Sequence, residues 1–136
     1  MTDFAFEHTI PVRYSDLDTL GHVNNARYAT FLEEARIAYF REALEFPLEE
    51  WNMVIANLNI DFRAPVREQT VTVGLEIVRM GNSSFDFEYE IVEDGRTVAN
   101  ASSVQVAYDV DAGEKMSIPE EWREAVERFE GAAVVE

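Results

Sequence analysis

Residues 26 to 44, ARYATFLEEARIAYFREAL, contain neither glycine nor proline and are apolar over most of a helical circumference. Tyr28, Phe31, Leu32, Ala35 and Tyr39 form one stripe at helical spacing. Ile37, Phe40 and Leu44 form a second, which leaves a narrow polar strip of Arg27, Thr30, Glu34 and Arg41. A helix so widely apolar has to be enclosed by other structure. Asn24 and Asn25 stand just ahead of it with side chains suited to capping. The rest of the chain must therefore supply a surface that wraps around one helix.

Five segments have the required alternation. Residues 4 to 14 place Phe4, Phe6, His8, Ile10, Val12 and Tyr14 on one face, with Pro11 suggesting an edge or a bulge. Residues 53 to 64 put Val54, Ala56, Leu58, Ile60 and Phe62 together, opposite Asn57, Asn59, Asp61 and Arg63. Val71, Val73, Leu75 and Ile77 repeat the pattern in 70 to 80, as do Phe85, Phe87, Tyr89 and Ile91 in 83 to 93. Residues 96 to 110 end in Val104, Val106 and Tyr108. Met80-Gly81-Asn82-Ser83 and Glu93-Asp94-Gly95-Arg96 read as hairpin turns, so these strands run antiparallel. Pro119 followed by EEWREAVERF reads as a short terminal helix. The expectation is one α+β domain over residues 1–136, a curled antiparallel sheet of about five strands around a long central helix.

Composition narrows the function. A chain of 136 residues with 47% hydrophobic content is enough for one sizeable core, and it has no cysteine for a disulfide, a thiolate metal site or a thiol nucleophile. Eleven basic residues face 27 acidic ones, a net charge of −16, and Lys115 is the only lysine. That surface repels nucleic acid and anionic membranes, so neither is expected as a partner. The start of the chain lacks signal-peptide character and no segment reaches membrane-spanning length, so a cytoplasmic protein is expected. Dense acid with almost no lysine also suggests a salt-adapted protein, because at ~1 M salt the Debye length falls to ~3 Å.

The chemistry is concentrated in DLDTLGHVNN, residues 16 to 25. A turn is the plain reading, since Asp, Gly and Asn fit loops and caps anywhere. DLDTL also resembles the nucleophile loop of haloacid-dehalogenase-type phosphatases. That fold, however, needs a buried parallel strand before the loop, and the threonine falls one position early. Acyl hydrolysis fits the spacing better. Asp18 ends the loop and Asn25 opens the helix, so a carboxylate can face unpaired helix N–H groups that stabilise an oxyanion. Asp18 would act as nucleophile or general base, with burial and neighbouring Asp16 raising its pKa. Gly21 would let backbone approach a ligand. His22 either orients substrate or braces the loop. With His8 as its only companion, it argues against a histidine metal site.

DLDTLGHVNNARYATFLEEAR resembles the hotdog-fold acyl-CoA thioesterases of the 4-hydroxybenzoyl-CoA thioesterase-like family. The resemblance continues through NLNIDFRAPVREQTVTV, MGNSSFDFEYEI and IPEEW. It implies hydrolysis of acyl-CoA to a carboxylic acid and CoA, with no metal and no cofactor beyond the CoA of the substrate. It maps the catalytic carboxylate onto Asp18 rather than Asp16, and the oxyanion donor onto the backbone N–H near Asn25. It implies a homodimer or homotetramer whose sheets join edge to edge, with active sites between subunits.

Several positions remain candidates for substrate contact. Asn24 reads as cap and loop brace, Tyr28 as pocket or core, and Glu33 with Arg36 as a supporting ion pair. Ser83 and Ser84 fall where relatives place polar groups near the thioester. Arg63 and Arg67 are nominated for the CoA phosphates, because guanidinium forks suit phosphate. The alternatives are a hotdog dehydratase or hydratase, and an acyl-CoA-binding or sensing module without turnover.

Overall fold

Asp94 (φ 50°) and Gly95 (φ 76°) both adopt left-handed backbone, as a two-residue hairpin between twisted strands requires. They join two of the six strands in a computed structural model that describes residues 2–46, 52–67 and 70–131. In chain order the elements are β1 (Phe6–Pro11), α1 (Asn25–Ala38), β2 (Met53–Phe62), β3 (Thr70–Met80), β4 (Ser84–Glu93), β5 (Arg96–Asp109), β6 (Glu114–Lys115) and α2 (Glu120–Glu130). The sheet order is β1-β3-β4-β5-β2, every pairing is antiparallel, and the short β6 adds to β5. The expected α+β architecture is present. Strand β2 does not pair with its successor β3. It crosses to the far side of the sheet, so β1 and β2 are the two edges.

The sheet curls around α1. Tyr28, Phe31, Leu32 and Ala35 are buried against Val73 and Leu75 of β3 and Phe85, Phe87 and Tyr89 of β4. Each large apolar side chain taken out of water contributes about 1.5–3 kcal/mol, so this one interface dominates the core. Helix α2 adds Trp122, Ala125 and Val126 to the same cluster. The enclosure demanded by the apolar helix is met by the concave face of one sheet.

Four details depart from the alternation read in the sequence. The N-terminal strand stops at Pro11. Residues Tyr14–Asp16 instead form a 3-10 turn held by the Asp16 carboxylate, which accepts the Arg13 N–H at 2.8 Å, and Tyr14 is turned outward at 88% exposure. The long helix stops being α-helical at Ala38 and continues as a π-helical turn over Tyr39–Ala43, with the Leu44 N–H donating to the Tyr39 carbonyl. In an α-helix, residues five apart lie about 140° apart around the axis. The wider turn lets Tyr39, Phe40 and Leu44 all be buried together.

A bulge between Ile55 and Asn57 reverses the parity of β2. Ile55, Leu58, Ile60 and Phe62 face the concave side opposite Gln105, Ser103, Ala101 and Ala99, while Val54 opposite Val106 faces outward. On β5 it is Ser103, Gln105 and Ala107 that are buried, and Val104, Val106 and Tyr108 lie on the convex face. The bulk of Phe85, Phe87 and Tyr89 on β4 leaves room beside it only for smaller groups.

Candidate active site

A small closed loop precedes α1. Leu17 and Val23 pair across its base, the Asp18 N–H donates to the His22 carbonyl at 2.7 Å, and the Gly21 N–H donates to the Asp18 carbonyl at 3.1 Å. Gly21 has φ 77° with open space around it, so left-handed backbone rather than close approach of a neighbour is what requires glycine there. One carboxylate oxygen of Asp18 accepts the N–H groups of Leu20 (2.9 Å) and His22 (3.2 Å). The loop therefore aims its own acid, and the second oxygen of Asp18 keeps its lone pairs.

Asp16 has a different task. It is fully buried, accepts the backbone and guanidinium N–H groups of Arg13, and lies 3.8 Å from Arg27. Burial opposes its charge, but the hydrogen bonds from Arg13 and the charges of Arg13 and Arg27 outweigh that and hold its carboxyl below the ordinary aspartate range. The charge of Asp16 is therefore spent on Arg13 and Arg27. The burial expected around Asp18 is also not supplied within the protomer, where the residue is exposed.

The start of α1 completes the arrangement. Asn24 is the cap: its side chain accepts the Ala26 N–H at 2.9 Å and its carbonyl accepts the Arg27 N–H at 2.8 Å. Those two bonds leave the Asn25 N–H without an acceptor among the described residues. Asp18, His22, Asn25, Tyr28, Phe62 and Arg63 line one groove of about 310 Å³, whose wall is finished by Val23, Ala64 and Pro65. An acid and an unpaired helix N–H thus face one space. Asp18 and Gly21 also border a second hollow of about 710 Å³ beside Tyr14 and Leu17.

The remaining candidates divide. Tyr28 is buried with its ring edge-on to Phe62 at 4.9 Å, and burial, with the Glu93 charge, pushes its phenol up so that it stays protonated. Arg63 donates to Asn100 at 3.1 Å at the groove's rim. Arg67 lines a neighbouring hollow of about 400 Å³ with Arg96, and its N–H is held by Glu93 at 2.8 Å. Ser83 and Ser84 lie at the far end of β4, level with Val106. By strand rise they are more than ~20 Å from the β4–β5 turn, which lies beside Arg67. The protomer does not bring them to the Asp18 groove. Arg36 does not pair with Glu33; its guanidinium reaches Tyr89 on β4 instead. His8 is on β1 and lines a hollow against α1, apart from the groove of His22.

One group escaped the sequence reading. Ser103 and Gln105 sit on the buried face of β5 and join Arg36 and Tyr89. The signal was Gln105 between two valines at inward parity, which showed only once β5 could be placed in register.

A sheet curled around one helix, with a carboxylate opposite that helix's first free N–H, defines an architecture of the hotdog kind. Residues 12–126 match the family model of the thioesterase-like superfamily, and the chain belongs to that family. It is 31% identical over 129 residues to the long-chain acyl-CoA thioesterase FadM of Escherichia coli K12, covering 88% of this chain and 96% of that one. It is 27% identical to the acyl-CoA thioesterase YbgC of Haemophilus influenzae, over 92% and 96% of the two chains. Among solved structures it resembles a Thermus thermophilus thioesterase complexed with coenzyme A and zinc, at 35% identity and a TM-score of 0.86 over 96% and 98% of the chains.

Proposed function

We propose that this protein hydrolyses acyl-CoA thioesters to a free carboxylic acid and CoA, with Asp18 as the reacting carboxylate. The observation that carries the reading is the unaccepted Asn25 N–H sharing one groove with Asp18. A thioester carbonyl set between them has its oxygen at the Asn25 N–H and the positive end of α1, and its carbon open toward Asp18. As charge moves onto that oxygen in the transition state, the N–H bond strengthens. Asp18 either attacks the carbon itself, so that the C–S bond breaks, CoA thiol leaves and water then hydrolyses the acyl–Asp18 anhydride, or it takes a proton from a water that attacks the carbon and expels CoA thiol directly. Label found in Asp18 after a single turnover in heavy-oxygen water would establish the direct route, because only an anhydride opened by water at the Asp18 carbonyl puts it there.

FadM, YbgC and the CoA-bound Thermus neighbour support CoA as the leaving group. Arg63 and Arg67 hold its phosphates in this reading, local cations on an otherwise acidic surface. His22 and Gly21 shape the loop, Asn24 caps the helix, and Tyr28 closes the floor. Within the groove no step calls for a metal or added cofactor.

The β2 edge supports oligomerisation. Among the described residues no strand pairs with its outer side, and Val54, Ile55, Leu58 and Phe62 are 37–46% exposed. Two β2 edges joined antiparallel would satisfy those groups and bring Ser83 and Ser84 of one copy toward the groove of the other. A homodimer is the smallest such assembly, and a homotetramer is a pair of them.

The Asp18→Asn variant tests the function. Thiol release from acyl-CoA should fall by about 10²–10⁴, while acyl-CoA binding, followed calorimetrically, stays within a few-fold. Undiminished turnover in the variant would remove Asp18 from the chemistry. Binding without turnover in the wild type would make the protein an acyl-CoA sensor.

A further inference from the structure

The buried polar group under α1 has more hydrogen-bonding capacity than the protein uses. Arg36 is 7% exposed and has no carboxylate partner among the described residues; one Nη donates to the Tyr89 hydroxyl at 3.0 Å. Tyr89 and Ser103 are 2.5 Å apart, and Gln105 Nε2 donates to the same Ser103 oxygen at 2.5 Å. The Gln105 Oε1 atom is buried and has no partner among the described residues. A guanidinium carries five donors, and among the described residues Gln105 Oε1 is the buried side-chain atom left without a partner. Leaving a buried polar group unmatched is costly, and such atoms call for an explanation.

These groups stand beside an open strip of the concave face. Leu58 is the cross-strand neighbour of Ser103 and Ile55 that of Gln105; with Phe62 they are exposed by 37%, 43% and 46%. Phe62 also lines the groove of Asp18 and Asn25. Phe62, Leu58 and Ile55 thus run along β2 from the proposed thioester position to the register of the polar group. Arg36 follows Asn25 by about 16 Å along α1, less the backward lean of its side chain. Leu58 follows Phe62 by about 13 Å along β2.

We propose that Arg36, Tyr89, Ser103 and Gln105 form a specificity site for a hydroxyl group carried well down the acyl chain of the substrate. This rests on the thioester-hydrolysis reading and names its substrate class. A hydroxyl oxygen accepts from Arg36 while its proton goes to Gln105 Oε1. If the Gln105 amide is turned over, its NH₂ is the unmatched end, and the same hydroxyl satisfies that instead. A carboxylate accepts from Arg36 but has no proton for Oε1, and a methyl group leaves both ends unmatched. Carbon–carbon bonds of about 1.5 Å advance a zigzag chain by roughly 1.3 Å each. The hydroxyl should then sit about 8–12 carbons from the thioester.

The test is a matched series of acyl-CoAs from eight to sixteen carbons (a range set by the same ~1.5 Å bond length), unsubstituted or carrying a terminal hydroxyl, with kcat/KM read from thiol release. Wild type should favour the hydroxylated member at least ~10-fold near the predicted length, as sites built around a substrate hydroxyl do. Arg36→Met and Gln105→Met should bring that ratio to about one while still hydrolysing the unsubstituted series. Should Arg36→Met fail to fold, Gln105→Met carries the test alone. A wild-type ratio near one at every length would overturn the proposal and leave the polar group to a buried water. So would a ratio that both variants preserve. Thiol release from neither series would overturn the hydrolase reading itself, which an unselective hydrolase would leave standing.

Discussion

At the residue scale the two aspartates of the DLD triplet do opposite work. Asp18 is exposed, with one oxygen tied to its own loop, whereas Asp16 is buried and bound to arginine. Asp16 has a depressed pKa, so its contribution to stability is present above its unfolded value near 3.8 and is lost as pH falls through the lower folded value. The Asp16→Asn variant should be less stable at neutral pH by about 1.5–3 kcal/mol, the usual worth of hydrogen bonds to a charged group. Denaturant melts should show that gap closing below about pH 4, near the ordinary aspartate pKa. A gap that persists in acid would mean Asp16 acts by shape rather than charge. The DLD pairing was legible in the sequence, but its division of labour was not, because Arg13 and Arg27 meet Asp16 only after the 3-10 turn forms.

At the element scale, α2 is latched to the end of the long helix. The Glu130 carboxylate accepts the Tyr39 hydroxyl at 2.5 Å and the Ile77 N–H at 2.8 Å, and Phe129 stacks edge-on to Tyr39 at 5.6 Å. Burial raises the Glu130 pKa, with Glu76 adding to it and the two hydrogen bonds opposing it. A raised carboxyl contributes stability below its unfolded value near 4.5, and that contribution is lost as pH climbs through the higher folded value. Glu130→Gln keeps an acceptor for both donors and removes the charge. Its melting temperature relative to wild type should rise as pH goes from about 4 to 8, the span over which a raised glutamate ionises. A difference that does not change over that range would show that the latch is insensitive to the charge. Elements were also where sequence alternation failed. One extra residue at Ala56 exchanged the two faces at the start of β2, and nothing local in VIANLN marks a bulge.

At the scale of the whole molecule, charge and edges dominate. A net charge of −16 on 136 residues favours expansion in dilute buffer. Melting temperature should rise by at least several degrees between ~0.05 M and ~2 M KCl as screening shortens the reach of that repulsion. A melt indifferent to KCl would end the salt-adaptation reading. The β2 edge predicts self-association: sedimentation should give a dimer or a tetramer for wild type. Ile55→Lys with Leu58→Lys should shift it toward monomer, since edge lysines block strand pairing. An unchanged mass in the double variant would place the contact elsewhere.

By itself the sequence determined the local terms: an enclosed helix, its asparagine cap, the glycine-dependent loop, the hairpin turns, and the acid seven residues before the helix. These depend on neighbours within one turn or one loop, where steric and hydrogen-bonding preferences act directly. Only the tertiary structure decided which face of β5 and of the start of β2 looks inward, that β2 pairs with β5, and that Arg36, Tyr89, Ser103 and Gln105 meet. Those outcomes depend on register between strands distant in the chain, where a single bulge reverses every side chain beyond it and volume already filled by Phe85 and Phe87 dictates what fits beside them.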